Sequence, residues 1–474
     1  MCRKIFADWL FRLAMGVFPV AAAILLTGYA QPPSVLEQVV RAGELRVVTT
    51  IGPTTYYVDG HGPAGFEYEL ARMFAGHLGV ELRLVTPDSA EDIIPMIARR
   101  EADLAAAGLI ATEEHEREVR FGPAYHEASQ QLVYRRGMPR PDSLASLDDT
   151  VVSGTRHASL IRTALNEHAD VQWRSEPGLE TGDLLARLWR REIPYIIADS
   201  NEIKVSQRYY PELSVAFDLT PPQPLAWAFP RLGDDSLVRA AEEFFAALGK
   251  NGDLERLRER YYGHVNEFDY VGVRRFLRHV EQRLPKYSEL FRRAAIDHQH
   301  DWRLLAAVGY QESHWNPKAV SPTGVRGIMM LTRRTAKELG IDDRIDPGNS
   351  ITGGARYLQQ ILKRLPTHIE EPDRTWMALA AYNVGYGHLQ DARALARQNG
   401  GDPDHWADVM KTLPLLTEKQ WYRKTRYGYA RGMEAVRYVQ NIRGYYDMLV
   451  WQTGPQAPAT ATVAAATPAA SPLL

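Results

Sequence analysis

The sequence predicts two unlike halves, an N-terminal α/β unit with mostly parallel sheets and a C-terminal all-α unit. From about Val35 to His264, short runs rich in β-branched residues alternate with amphipathic helical patterns, which argues for parallel sheets covered by helices. From about Tyr270 to Trp451 the apolar residues recur at helical spacing, with no convincing strand. A chain of 474 residues exceeds one ordinary core, so two or three domains are expected.

Residues 1–30 read as an export signal. Arg3, Lys4 and Arg12 supply positive charge, Leu13 to Leu26 is uncharged and apolar, and Gly28-Tyr29-Ala30 offers a small-residue cleavage site. The apolar run is shorter than the roughly 20 residues a spanning helix needs, which favours cleavage over a retained anchor. LLTGY is similar to a lipobox, but Tyr29 stands where the lipidated Cys would be. Cys2 is the only cysteine, so no disulfide framework or Cys-based metal site is expected, and export would leave a cysteine-free chain suited to the periplasm. The net charge of −2 gives no reason to expect a nucleic-acid partner. The expected bodies are residues 31–265 and 266–452, followed by a Pro/Ala/Thr-rich tail at 453–474 of disordered composition.

In the first body ELRVVTT (44–50), VELRLVT (80–86) and PYIIADS (194–200) read as strands. FEYELARMFAGHLG (66–79) and AEDIIPMIARREA (90–102) read as helices. GFEYELARMFAGHLG and the later TEEHEREVRFGPAY resemble extracellular solute-binding domains of the polar-amino-acid type. That resemblance implies a periplasmic-binding-protein-like domain of two lobes closing on a small ligand. The chain would cross between them near Tyr134 to Arg140 and around Pro221 to Trp227, making the first lobe discontinuous.

In such proteins the Arg of a Thr-x-x-Arg motif clamps the ligand carboxylate, because a guanidinium fork matches a planar anion. Counting from Thr112, His115 takes that position and Arg117 lies two residues further on; the Asp that pairs with the ligand amine corresponds to Asp199. The implied ligand is an amino acid or a muropeptide. The competing reading is a surface His and a strand-end Asp, with a sugar or no ligand at all.

In the second body the informative stretch is Asp301 to Gly340. Leu304, Leu305, Ala307 and Val308 give a buried helix that carries Gln311-Glu312-Ser313 to its C-terminal end, before Asn316-Pro317. Burial raises a carboxyl pKa towards the range of a general acid at neutral pH. An isolated Glu there would read as a solvated or Arg-paired carboxylate. Further on, Gly353-Gly354 precede a helix predicted over Ala355 to Leu365, and another begins over Trp376 to Tyr382.

ESHWNPKAVSPTGVRGIMML resembles the Glu-Ser…Gly-Leu-Met-Gln signature of the goose-type-lysozyme-like lytic transglycosylases, and Ala381-Tyr382-Asn383 followed by VGYGH matches their Ala-Tyr-Asn motif. The resemblance implies a lysozyme-like domain with Glu312 as the lone acid and base. Ser321 would touch the sugar, and Gly327, Met329 and Met330 would let backbone approach the glycan. Met330 replaces the signature Gln, as in the subgroup that fuses a solute-binding domain to this catalytic domain. Tyr382 and Asn383 would bind sugar and the catalytic carboxylate, with Tyr438 facing the cleft. No cofactor and no metal are implied.

Glycosidases ordinarily divide proton delivery and cation relief between two carboxylates, and nothing in the sequence places Asp342, Asp343 or Asp346 opposite Glu312. The implied function is an exported peptidoglycan lytic transglycosylase, acting on glycan strands in wall turnover and peripheral to the outer membrane. Its rivals are a solute receptor or non-catalytic wall-binding protein, and a hydrolytic lysozyme.

Overall fold

The computed structural model describes residues 33–453, apart from 60–61, 148, 155, 167–170, 208, 232, 264–269 and 322–323. The expected signal segment and the tail from residue 454 lie outside the described residues.

The α/β half contains β1 (Glu44–Val48), β2 (Tyr57–Asp59), β3 (Gly62–Ala64), β4 (Glu81–Val85), β5 (Leu104–Ala105) and β6 (Val119–Ala128). It continues with β7 (Gln130–Arg135), β8 (Val151–Ser153), β9 (Trp173–Ser175), β10 (Tyr195–Asp199), β11 (Leu213–Asp218) and β12 (Gln223–Pro230). The described strands form one sheet of order β4-β1-β5-β12-β6, a second of order β11-β7-β10-β8-β9, and the hairpin β2-β3. Alternation along β1 sends Leu45 and Val47 into the first lobe's core, where Phe66, Leu70 and Phe74 of the helix Phe66–Leu78 meet them.

Two expectations need correcting. The sheets are mixed: β1 is parallel to β4 and β5, but β12 is antiparallel to β5 and β6, and β7 to β10 and β11. The cause is topological, because a strand leaving a lobe and the strand returning to it must run in opposite directions. The first crossing also comes earlier than expected, at Ser129, where β6 passes directly into β7; the second spans residues 219–222, between β11 and β12. Ser129 is pinned there by Ser200, whose hydroxyl accepts the Ser129 N–H at 3.0 Å and whose N–H donates to the Ser129 carbonyl at 2.9 Å.

Among the described residues the named elements of the second half are all helices, and isolated bridges pair Arg326 with Val320 and with Leu331. Its axis is the helix Trp302–Ser313, buried continuously from Trp302 to Tyr310. Asp301 caps it, accepting the Arg303 N–H at 2.8 Å, while Tyr446 of the last helix (Gly432–Thr453) donates to Asp301 Oδ2 at 3.0 Å. The halves are tied by Arg443, which donates to Glu259 Oε1 at 2.9 Å and to the Arg260 carbonyl at 2.6 Å, and by Trp451 stacked on Tyr209 at 5.3 Å.

The helix predicted over Ala355 to Leu365 starts earlier, at Pro347, so Gly353 and Gly354 lie inside it. Asp346 caps this helix at the Asn349 N–H (2.8 Å), and Pro347 suits a first position where no N–H is needed. Both glycines are buried because neighbouring side chains fill the space a Cβ would take. At Gly354 a Cβ would fall 2.6 Å from Met329 Cε and 2.8 Å from Met329 Cβ.

Gly354→Ala should therefore cost about 1–3 kcal/mol in denaturant unfolding, the range for forcing a methyl into a filled core. In the Met329→Ala background the same substitution should cost less, because the Cε and Cγ contacts are gone, and a Gly354→Ala protein as stable as wild type would contradict this packing.

Candidate active site

Glu312 occupies the last turn of the Trp302–Ser313 helix, which stops because His314 and Trp315 both adopt positive φ, 52° and 54°. Trp315 folds back beneath the helix, where its indole N–H donates to the Ala306 carbonyl at 2.8 Å. The Ser313 hydroxyl lies 2.8 Å from the Ile328 carbonyl, fastening the helix end to the segment Gly327 to Met330.

That segment is clamped from two sides. Ser350 Oγ accepts the Met329 N–H at 3.1 Å, and Tyr382 donates its hydroxyl to the Met329 carbonyl at 3.0 Å. Gly327 takes φ 94°, and a Cβ there would come 2.1 Å from the Arg344 carbonyl oxygen. The absent side chain thus makes room for the chain's own backbone. Met329 is fully buried against Gly309 and Gly354, so its side chain is a core group and not a cleft wall. Met330 is half-buried with φ 47°, in the left-handed region that non-glycine residues seldom adopt.

Above this floor Tyr438, from the last helix, donates to Glu312 Oε1 at 2.6 Å. Its ring lies nearly parallel to that of Tyr382, 6.5 Å between centroids, and Tyr382 in turn packs on Tyr357 at 5.1 Å. Desolvation by these walls pushes the Glu312 carboxyl from its ordinary 4.5 up to about 7, and the Tyr438 bond, which favours the anion, pulls the other way. Among the described residues no cation and no second carboxylate enters that balance. Asp343 accepts the Ile345 N–H and Asp346 the Asn349 N–H, both at 2.8 Å, so both serve local backbone.

One expected contact falls elsewhere. Asn383 is exposed and makes no side-chain hydrogen bond among the described residues, so the carboxylate's partner is Tyr438 and not Asn383. Ser321 uses its hydroxyl to accept the Val325 N–H at 2.9 Å, closing its own loop. Ser350 and Tyr357 were missed by sequence reasoning: a serine in the first turn of one helix and a tyrosine two turns later carry no local signature.

In the α/β half Asp199 ends β10 and is buried, with His157 Nε2 at 3.2 Å and the Gln130 amide donating to its other oxygen. His115 sits half-buried in the turn His115–Arg117, its pKa lowered by burial and by the nearby His157. Arg117 is exposed, and the guanidinium beside Asp199 comes instead from Arg156, with Nη1 at 3.7 Å.

Residues 289–404 match the family described as the transglycosylase SLT domain, and residues 45–264 match the bacterial extracellular solute-binding proteins, family 3. The membrane-bound lytic murein transglycosylase F 1 of Alkalilimnicola ehrlichii is 52% identical over 429 residues, covering 90% of this chain and 87% of that protein. The membrane-bound lytic murein transglycosylase F of Ectopseudomonas mendocina is 48% identical over 451 residues, with 94% and 92% covered. Its namesake in Stutzerimonas stutzeri is 48% identical over 458 residues, with 96% and 93% covered.

A raised carboxyl pKa means the fold accommodates the protonated form. The cost of holding Glu312 is absent below the ordinary value of 4.5 and grows as pH climbs through about 7. Glu312→Gln, which never ionises, should match wild type in unfolding free energy at pH 4 and exceed it at pH 8 by up to about 3 kcal/mol. Equal stabilities at both pH values would mean that the carboxyl is not desolvated.

Proposed function

The chain belongs to the membrane-bound lytic murein transglycosylase F family, and we propose that it cleaves the β-1,4 bond between N-acetylmuramic acid and N-acetylglucosamine without using water. The observation that carries this reading is a desolvated Glu312 with a hydrogen-bonding hydroxyl from Tyr438 and, among the described residues, no acidic partner. A carboxyl titrating near 7 is protonated often enough at neutral pH to act as an acid, and basic enough once ionised to take the proton back.

In the first step Glu312 gives its proton to the glycosidic oxygen as the bond to C1 of the muramic residue breaks. The N-acetylglucosamine end leaves as an alcohol. The substrate's own acetamido group relieves the cationic C1, a task that a second carboxylate performs in other glycosidases. Glu312 is now a carboxylate, and the Tyr438 hydroxyl stabilises the charge. In the second step the C6 hydroxyl of the same muramic residue attacks C1 and passes its proton to Glu312. The product ends in 1,6-anhydro-N-acetylmuramic acid, the acid is restored, and no water is consumed.

Ser321, Met330, Tyr382, Asn383 and Tyr438 are assigned to the glycan path, with Gly327 and Met329 supporting it from below. The N-terminal domain is assigned a small ligand, an amino acid or muropeptide, which adjusts the catalytic half. The protein acts in the periplasm, peripheral to the outer membrane. Among the described residues no helix is long and apolar enough to cross a membrane.

Mass analysis of digested peptidoglycan should show ends lighter by one water than those of a lysozyme digest. Glu312→Gln should reduce turnover about 10²–10⁴-fold. Tyr438→Phe should lower it about tenfold and move the alkaline limb of the kcat/KM profile to higher pH, since the bond that favours the anion is gone. Reducing ends from the wild type would identify a hydrolase, and normal turnover by Glu312→Gln would remove the assignment of the acid.

A further inference from the structure

The two lobes of the α/β half meet over charged side chains that catalysis does not use. Arg156 follows β8 in the second lobe, and its side chain is only 9% exposed. Its Nη2 donates to Glu180 Oε2 at 2.7 Å and its Nη1 to Glu202 Oε1 at 2.8 Å, with Asp199 Oδ2 3.7 Å away. All three carboxylates belong to the second lobe: Glu180 precedes the helix Thr181–Trp189, Asp199 ends β10, and Glu202 lies in the helix Ser200–Ser206. The guanidinium itself lies at the lobe boundary. A Cβ placed on Gly108, in the first lobe, would fall 3.5 Å from Arg156 Nη1, and Thr54 Oγ1 of the same lobe is 3.5 Å from the Glu202 oxygen that Arg156 holds.

We propose that this cleft is a recognition site for a guanidinium-type cation and that Arg156 is its occupant, a tethered side chain standing where the cationic group of a free ligand would sit. Charge is the first argument. Arg156 faces Glu180, Glu202 and Asp199, with the first lobe's buried Glu67 also in its field and His157 Nε2 3.2 Å from Asp199, so removing the guanidinium leaves an excess of acidic groups that a cation would balance. Space is the second. The volume left between Arg156, His157, Glu180 and Asp199 is about 30 Å³, room for a water, whereas small-molecule sites run to roughly 300 Å³ or more.

Satisfaction is the third argument. Arg156 Nε and Glu202 Oε2 are both buried without a hydrogen-bond partner among the described residues, so the tethered group fits imperfectly. A free guanidinium can turn to present any of its N–H groups to that oxygen. Arg156 is also the only Arg or Lys among the residues lining the cavity, so a ligand carboxylate would find no unpaired cation there. The lobes therefore close on the chain's own side chain, and a ligand enters only by displacing Arg156 with a guanidinium or ammonium of its own. The inference rests on the lobe geometry and is independent of the transglycosylase reading.

The test compares the full chain with Arg156→Ala and Arg156→Lys, by calorimetric titration and melting, using methylguanidine as the probe and acetate as the control. Wild type should not respond to methylguanidine. Arg156→Ala should bind it and melt a few degrees higher at about tenfold excess over Kd, and Arg156→Lys should respond more weakly because its ammonium still fills part of the site. If Arg156→Ala alone melts without cooperativity, methylguanidine should restore a cooperative melt. The proposal is overturned by three results: equal responses from wild type and Arg156→Ala, acetate acting like methylguanidine, or a variant that neither binds methylguanidine nor is restored by it.

Discussion

The site depends on one opposition of forces at Glu312. Desolvation favours the neutral acid, and the Tyr438 hydroxyl favours the anion. Neither wall is local to the acid, since Tyr438 comes from a helix more than a hundred residues further along the chain. That helix runs antiparallel beside the acid's own and is fastened to it twice, by Tyr438 at Glu312 and by Tyr446 at the cap Asp301. Two turns separate the tyrosines, so they share a face, and both ends of the acid-bearing helix are fixed by the same partner. A proton donor has to be held in place before it can be tuned, and this pairing does both.

The floor beneath the acid follows the same economy of backbone. Met329 is gripped through its N–H by Ser350 and through its carbonyl by Tyr382, while its side chain fills the space opened by Gly309 and Gly354. Gly309 and Gly354 are thus spent on packing. What that packing supplies to the cleft is a rigid edge, on which Met330 and Tyr382 sit.

The parts legible in the sequence were those written in periodicity or in a short motif. The acid-bearing helix, its terminal Glu312, the strands around Glu44, Glu81 and Tyr195 and the helices of the second half all follow from spacing. The sequence misled wherever the answer depended on what a distant segment supplies. Gly353-Gly354 look like a helix start until Met329 and Leu331 are seen to need their surface. Arg117 sits closer to the motif position than Arg156, yet only the folded lobes show which guanidinium reaches Asp199. Ser129 carries the chain between lobes without a proline or glycine to mark the place, because β6 and β7 form almost one continuous extended run.

The last helix has a mechanical consequence. It is seated at one end against the second lobe, where Trp451 stacks on Tyr209 and meets Tyr210 edge-on, and at the other it presents Tyr438 to the acid. Thirteen residues of helix make a strut of roughly 20 Å. One rigid element therefore touches both the second lobe and, through a phenol seated 2.6 Å away, the proton donor.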